Sequence, residues 1–294
     1  MQRATRIPIA GVHSPVYHVS DTSSTLDLAA SLLADTTTAT PHLTTVIADR
    51  QSAGRGRLGR TWTTPDGQAL LASTVVSLPT SFPTEMLGWL VHACALSVRD
   101  ALSPRLSPLG HTVSLKWPND VLVDRARKIC GILAQLAPAS SPFTTSAILG
   151  YGINIAQDPD HLATPQATSL YAEGDAEAGA DPTSVSHTLL AQILTGLDSR
   201  IRGLVAHGNA RDCGLADEAA NALPLLGTRI ALAKPTDPNG HPAMEGVALG
   251  LSPTGSLLVR TDDGRTHDIN AGDVLATGIP LTTVHDTKEK RANN

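Results

Sequence analysis

Residues Gln51 to Trp62, QSAGRGRLGRTW, set Arg55, Arg57 and Arg60 among Gly54, Gly56 and Gly59. Glycine lets backbone N–H groups approach a ligand closely and lets a loop change shape. Arginine offers a fixed fork of donors suited to phosphate or carboxylate. Such a loop could wrap an anion and close over it as a lid. The same composition also fits a solvated loop, or one that holds nucleic acid through its charge. It is not a P-loop, because G-x-x-x-x-G-K-[ST] is absent. The segment ends on Trp62, one of three tryptophans, whose flat ring could pack on a base or on the loop itself.

Three further segments could carry chemistry. In KWPND, Lys116 to Asp120, the lysine offers a point charge for phosphate, and Asp120 could hold Mg²⁺ or orient a ligand. Each of these residues taken singly also fits a surface turn. In KICGIL, one lysine, Lys128, opens an otherwise apolar strand. A partly buried lysine is costly unless it meets an anion, although the end of a strand also lets it snorkel to water. In GYGIN, Gly150 to Asn154, two glycines and a terminal asparagine point to close approach of backbone and ligand, or to a bulge.

The elements that position these segments are legible from pattern. A helix is predicted over Ser24 to Ala34, with Ser24 as cap, Asp27 three residues on, and Leu28 and Leu32 on one face. Strands follow at Thr44–Ala48 and Leu70–Leu78, on either side of the arginine loop. A second helix is predicted from Glu85 to Leu102. VSLKW and VLV flank the Pro118-Asn119-Asp120 turn, and with Ile129–Leu136 and Ala147–Ile155 they form an antiparallel meander. Residues 156–184 read mostly as loop. A third helix runs from Val185 to Val205 behind Asp181-Pro182, with Val185, Leu189, Ile193, Leu197 and Ile201 in a stripe. Five short β segments, at 228–233, 244–251, 257–260, 266–269 and 274–277, imply a small barrel.

Composition narrows the classes. The chain has 294 residues, of which 41% are hydrophobic and 3% aromatic, so it has a core built mainly of aliphatic side chains. A net charge of −5 argues against generic nucleic-acid binding. Three widely spaced cysteines (Cys94, Cys130, Cys213) give neither a disulfide framework nor a metal-ligand spacing. No signal peptide or membrane-length apolar run is present, and the expectation is a cytoplasmic protein. The eleven histidines show no clustering along the sequence that points to a metal or a triad.

In their order, GRGRxGR-x-W, KWPND, K-x-x-GIL and G-x-GIN resemble the biotin–protein ligase family, over roughly residues 17 to 278. The resemblance implies an α+β fold: a mixed central sheet flanked by helices, like a class II synthetase catalytic domain, followed by a small C-terminal SH3-like β-barrel. The expected division is a short extension (1–15), a catalytic domain (16–222), the SH3-like domain (223–280) and a flexible tail (281–294). The implied reaction joins biotin and ATP, with Mg²⁺, as biotinyl-5′-AMP, and passes biotin to one lysine of a biotin carboxyl carrier domain. By the same resemblance the biotin site comprises Ser24, Thr25, Leu26, Gln51, Arg55, Gly56, Arg57, Lys128 and Gly131. The ATP or adenylate site comprises Arg55, Arg57, Arg60, Trp62, Lys116, Asn119, Lys128 and Asn154. Lys128, Arg57, Lys116 and Asp120 carry catalysis, and Mg²⁺ is held through substrate phosphates, with Asp120 as a candidate ligand.

Two departures stand out. The family has Ser-Thr-Asn where this sequence has Ser24-Thr25-Leu26, and Cys130 stands where a small residue is common. No base partner is evident for that thiol, so it reads as a small buried hydrophobe. The resemblance begins too early for the N-terminal DNA-binding domain of the family's repressors, so no DNA partner is expected. The family includes monomers and homodimers. Two rival readings are a lipoate or octanoate ligase or transferase of the same fold, and a non-catalytic nucleic-acid-binding protein.

Overall fold

The computed structural model of the chain describes residues 4–35, 37–141, 144–233 and 242–277. Its larger sheet has the strands β1 (Thr5–Ile7), β2 (Val16–Thr22), β3 (Thr45–Gln51), β4 (Ala69–Pro79), β5 (Val113–Lys116), β6 (Asp120–Val123), β7 (Arg127–Ser141) and β8 (Thr144–Asn154). Their order is β1-β2-β3-β4-β8-β7-β6-β5. Helix α1 (Thr25–Ala34) crosses between β2 and β3, which pair in parallel. The remaining neighbours are antiparallel, and β5 to β8 form the meander that the sequence predicts.

Side-chain alternation gives this sheet two differently covered faces. Leu70, Ala72, Val76 and Leu78 of β4 and Ala147, Leu149, Tyr151 and Ile153 of β8 enter the main core. There they meet helices α2 (Gly88–Leu106) and α4 (Pro182–His207). The opposite face meets α1, whose Leu26, Ala29 and Leu33 cluster with Val46, Val75 and Ile148. Central β4 is buried on both faces, which is why it reads as an unbroken apolar run. In α4 the stripe Val185, Leu189, Ile193, Leu197, Ile201 is buried, Asp181 accepts from the Ser184 amide, and Gly208 ends the helix in the left-handed region.

The smaller sheet comprises β9 (Arg229–Ala233), β10 (Pro242–Leu251), β11 (Leu257–Arg260), β12 (Thr266–Ile269) and β13 (Asp273–Thr277). It is antiparallel in the order β12-β11-β10-β9-β13, and register shifts on β10 and β13 let it bend, as an SH3-like unit requires. The turn between β10 and β11 docks on α2. Trp89 Nε1 donates to the Pro253 carbonyl at 2.8 Å, and His92 Nε2 lies 2.9 Å from that of Gly255.

Several details differ from expectation. The first fifteen residues are not a mere extension: Thr5–Ile7 pairs with β2, and Ile9 is buried. Strand β2 has too little apolar alternation to be read locally, because His18 and Asp21 lie on a partly exposed strand. Helix α2 starts at Gly88, after a 3₁₀ turn, and continues to Leu106. Residues 156–184 contain the short helix α3 (Ala176–Ala180), and α5 (Leu215–Ala222) lies just before the smaller sheet. Ser24 is the N-cap of α1, but its hydroxyl makes no capping bond. The Thr25 amide donates instead to Gln51 Oε1 at 2.8 Å. The expected flexible tail lies outside the described residues. Among the described residues, no helix is long and apolar enough to cross a membrane.

Gly88 is the tightest point of the junction: a Cβ there would sit 2.6 Å from the Thr254 carbonyl oxygen. Gly88→Ala gains about 0.8–1 kcal/mol of helix propensity. It also forces backbone apart in a packed interface, at roughly 1–3 kcal/mol. The clash should win, so a lower melting temperature than wild type is expected by calorimetry.

Candidate active site

The alternation that buries Tyr151 and Ile153 turns Gly150 and Gly152 to the other face. Gly152 pairs across the sheet with Gly131 of β7, and Gly150 with Leu133. The result is a patch of bare backbone on the α1 side, the floor of a cavity of about 510 Å³. Trp62 lies flat against it. A Cβ on Gly152 would stand 2.6 Å from the indole, and one on Gly131 would stand 3.2 Å from it. Leu26 covers Gly150 in the same way, within 2.9 Å of where a Cβ would be. The departure Leu26 therefore serves as an apolar wall between the cavity and the α1 cluster, at 4% exposure.

One end of the cavity is polar and uncharged. Gln51 Oε1 accepts from the amide of Thr25 and from its hydroxyl, at 2.8 and 3.0 Å, and Ser73 Oγ donates to Thr25 Oγ1 at 2.8 Å. These bonds fix the Gln51 amide, whose Nε2 has no protein acceptor among the described residues. Ser24 Oγ is buried without a partner. A buried, unpaired hydroxyl costs about 1–3 kcal/mol, and a ligand carbonyl or N–H would relieve that cost. This end suits a small neutral polar head group.

The other end collects cations. Lys116 and Asp120 face each other across the turn that holds the cis Trp117–Pro118 bond. Lys116 has no ion-pair partner among the described residues. Lys128 Nζ lies 2.7 Å from Asp120 Oδ1, but the angle leaves that oxygen without a directed hydrogen bond. The same ammonium stands 5.5 Å from the Trp62 ring centre, within reach of a cation–π attraction. The Lys128 backbone is clamped by the segment below it: its amide donates to the Gln166 carbonyl at 2.6 Å, and its carbonyl accepts from the Thr168 amide at 2.9 Å.

Arg57 donates to Asn119 Oδ1 at 3.2 Å and to the Gly272 carbonyl at 3.3 Å. Burial lowers its pKa below the ordinary arginine range, while Asp273 and then Asp120 act to raise it. Arg60 pairs with Asp273, and Arg55 with Asp27 of α1 at 2.6 Å. The acidic groups in the wall, Asp120 and Asp273, are thus both engaged by cations. A Mg²⁺ ion would find its oxygens chiefly on a phosphate substrate, as that ion commonly does.

Every residue that the sequence singled out for the biotin and ATP sites lines this one cavity. Asn154 does so with its amide already engaged, donating to the Thr168 carbonyl at 2.8 Å and accepting from Gln157 at 3.0 Å. Its part in the wall is bracing. Cys130 is fully buried and burial raises its pKa well above the usual thiol range, which fits an inert apolar role. Sequence reasoning missed the 161–167 segment and Asp273–Leu275, which reach the cavity only through folding. It also missed His111, Asp124 and Glu173, a cluster outside the cavity in which Arg127 joins the two carboxylates.

Residues 20–154 match the biotin/lipoate A/B protein ligase family, and residues 236–275 match the biotin protein ligase C-terminal domain. A biotin–[acetyl-CoA-carboxylase] ligase of Mycobacterium tuberculosis is 34% identical over 230 residues, 78% of this chain and 77% of the relative. A ligase of the same name from Paracoccus denitrificans is 31% identical, over 75% of this chain and 85% of its own. Among solved structures, the biotin protein ligase of Aquifex aeolicus in complex with biotin and ATP superposes with a TM-score of 0.62 at 26% identity, covering 88% of this chain and 97% of that one. The chain belongs to the biotin protein ligase family.

Trp62 is the partly exposed tryptophan; Trp89 and Trp117 are 1% and 2% exposed. Gly152→Ala should push the indole off the floor and shift its emission to the red. The shift is measured against Trp62→Phe and Trp62→Phe/Gly152→Ala controls, and an unshifted spectrum would place the indole elsewhere.

Proposed function

We propose that the chain activates biotin with ATP to biotinyl-5′-AMP and passes the biotinyl group to a lysine of a biotin carboxyl carrier domain of a carboxylase. One observation carries this reading: a single cavity joins a neutral polar end, Ser24 and Gln51, to a cationic end, Lys116, Lys128 and the arginine loop. That is the polarity of a ligand with an uncharged ring at one end and an activated carboxylate at the other. Trp62 and the glycine floor between them suit the apolar stretch that links those ends.

In the first step a carboxylate oxygen attacks the α-phosphorus of ATP, and the bond from that phosphorus to pyrophosphate breaks. Two anions must meet, and their repulsion is large where water is scarce. Lys128 and Lys116 offset it, and Arg57 steadies the adenylate. In the second step the acceptor amine attacks the acyl carbon, AMP leaves, and the amine gives up a proton. Asp120, paired with Lys128, orients that ammonium, and the amine's proton passes to solvent. Mg²⁺, carried by the triphosphate, would neutralise charge on the leaving pyrophosphate. The work left to the protein is positioning and charge neutralisation.

The three cysteines are free thiols in the structure, in keeping with a cytoplasmic setting. The lipoate alternative lacks support at the polar end, since a dithiolane ring has nothing to offer the unpartnered Ser24 hydroxyl or the Gln51 amide. Incubation with ATP, carrier domain and radiolabelled biotin or lipoate separates the two; label from lipoate alone would sink the biotin reading. Lys128→Ala should lower biotin-dependent pyrophosphate exchange by about 100-fold or more with an unchanged circular dichroism spectrum. Wild-type exchange rates in that variant would remove Lys128 from the mechanism.

A further inference from the structure

The arginine loop has little of its own to hold it in place. Its 3₁₀ turn, Arg57–Gly59, buries no residue, and Leu58 and Gly59 both sit at positive φ. Backbone bonds inside the loop are few: Gly56 to Arg60, Arg60 to Arg57, and Trp62 to Gly54. Backbone bonds from Ser52 and Ala53 hold its start, Trp62 on the glycine floor holds its end, and Arg57 reaches Asn119; beyond these, side-chain ties at its two flanks keep it across the cavity. Arg55 reaches Asp27 of α1 on one side. On the other, Arg57 and Arg60 converge on the start of β13 in the smaller sheet.

That second tie centres on one carboxylate. Asp273 pairs with Arg60 and stands 3.6 Å from Arg57, while the neighbouring Gly272 carbonyl accepts from Arg57 as well. Asp273 is 24% exposed and the Arg57 side chain 17%, so water screens that arm less than an ordinary surface pair, while Arg60, 65% exposed, meets the same carboxylate from the solvent side. Val274 and Leu275, the next residues, line the cavity itself. We infer that Asp273 is a positioning residue: its charge anchors Arg57 and Arg60 to the smaller sheet, which thereby sets how long the loop stays closed over the activated intermediate. This inference rests on the adenylate-forming function proposed above for what the loop retains, though not for the anchoring itself.

The loop carries its own reporter, since trypsin cuts after arginine. Cleavage of a transiently opened segment tracks the open population when opening and closing are fast. Asp273→Asn keeps the shape of the side chain and removes its charge. Cutting after residues 55 to 60, read by fragment mass, should become about fivefold faster, and Asp273→Glu should stay near wild type. Arg60→Gln breaks the same tie from the other partner and should accelerate cutting at the remaining arginines. It carries the test if the Asp273→Asn chain fails to fold.

With biotin and ATP but no carrier, Asp273→Asn should also release biotinyl-AMP about fivefold faster, seen as label on the lysines of added serum albumin. Wild-type cutting rates in Asp273→Asn or Arg60→Gln, or Asp273→Glu cut as fast as Asp273→Asn, overturn the anchor. Faster cutting with wild-type retention of biotinyl-AMP overturns its role in closure. A wild-type chain with no biotin-dependent pyrophosphate exchange overturns the proposed function, and the tryptic comparison still decides the anchor.

Discussion

A sheet covered on both faces needs side chains on both faces, and at three neighbouring positions one face has none. Gly131, Gly150 and Gly152 leave a patch of bare backbone on the α1 side of β7 and β8, while Cys130, Ile132, Tyr151 and Ile153 fill the other side. The cavity exists because of that asymmetry. A Cβ at Gly150 or Gly152 would stand within 3 Å of Leu26 or Trp62, so the walls can be as close as they are only over glycine. Everything else in the site is arranged around the floor, with Gln51 at the end of β3, Lys128 on β7 and the arginine loop laid across the top.

The second constraint is charge. Five cations, Arg55, Arg57, Arg60, Lys116 and Lys128, border one pocket and must be held apart from each other before any ligand arrives. Asp120 and Asp273 do this by pairing with three of them. Such pairs gain little in net stability, because desolvation offsets much of the attraction. Their value lies in geometry: each carboxylate fixes where a cation stands, and an incoming anion meets donors already in place. The Asp273 pairs also tie the smaller sheet to the arginine loop of the larger unit, whereas Asp120 and Lys128 both belong to the larger sheet.

The motifs were legible because each is a run of adjacent residues with constrained chemistry. Glycine and arginine between two strands, a Pro-Asn-Asp turn and a lysine opening an apolar strand keep their meaning whatever surrounds them. The strands and long helices were legible for a similar reason, since burial imposes a period of two or nearly four on the sequence. β2 and α5 were not, because they are short, partly polar, and stabilised by neighbours remote along the chain. Ser24 shows the same limit in one residue: it sits at the cap position, yet Gln51, twenty-six residues away from Thr25, takes over the capping bond.

What the sequence determined by itself was therefore the family, the fold class and the motif residues of the cavity wall, all of which depend on local runs of residue type. Which of those residues are free to meet a ligand was decided only in three dimensions. Asn154 and Asn119 are committed to bracing, Ser24 is left unpaired, and Leu26 becomes a wall rather than a lost polar contact. Asp273 lies 213 residues beyond Arg60 and has no motif around it. Its pairing arises from how the smaller sheet docks on the larger unit, a long-range packing outcome that no local pattern encodes.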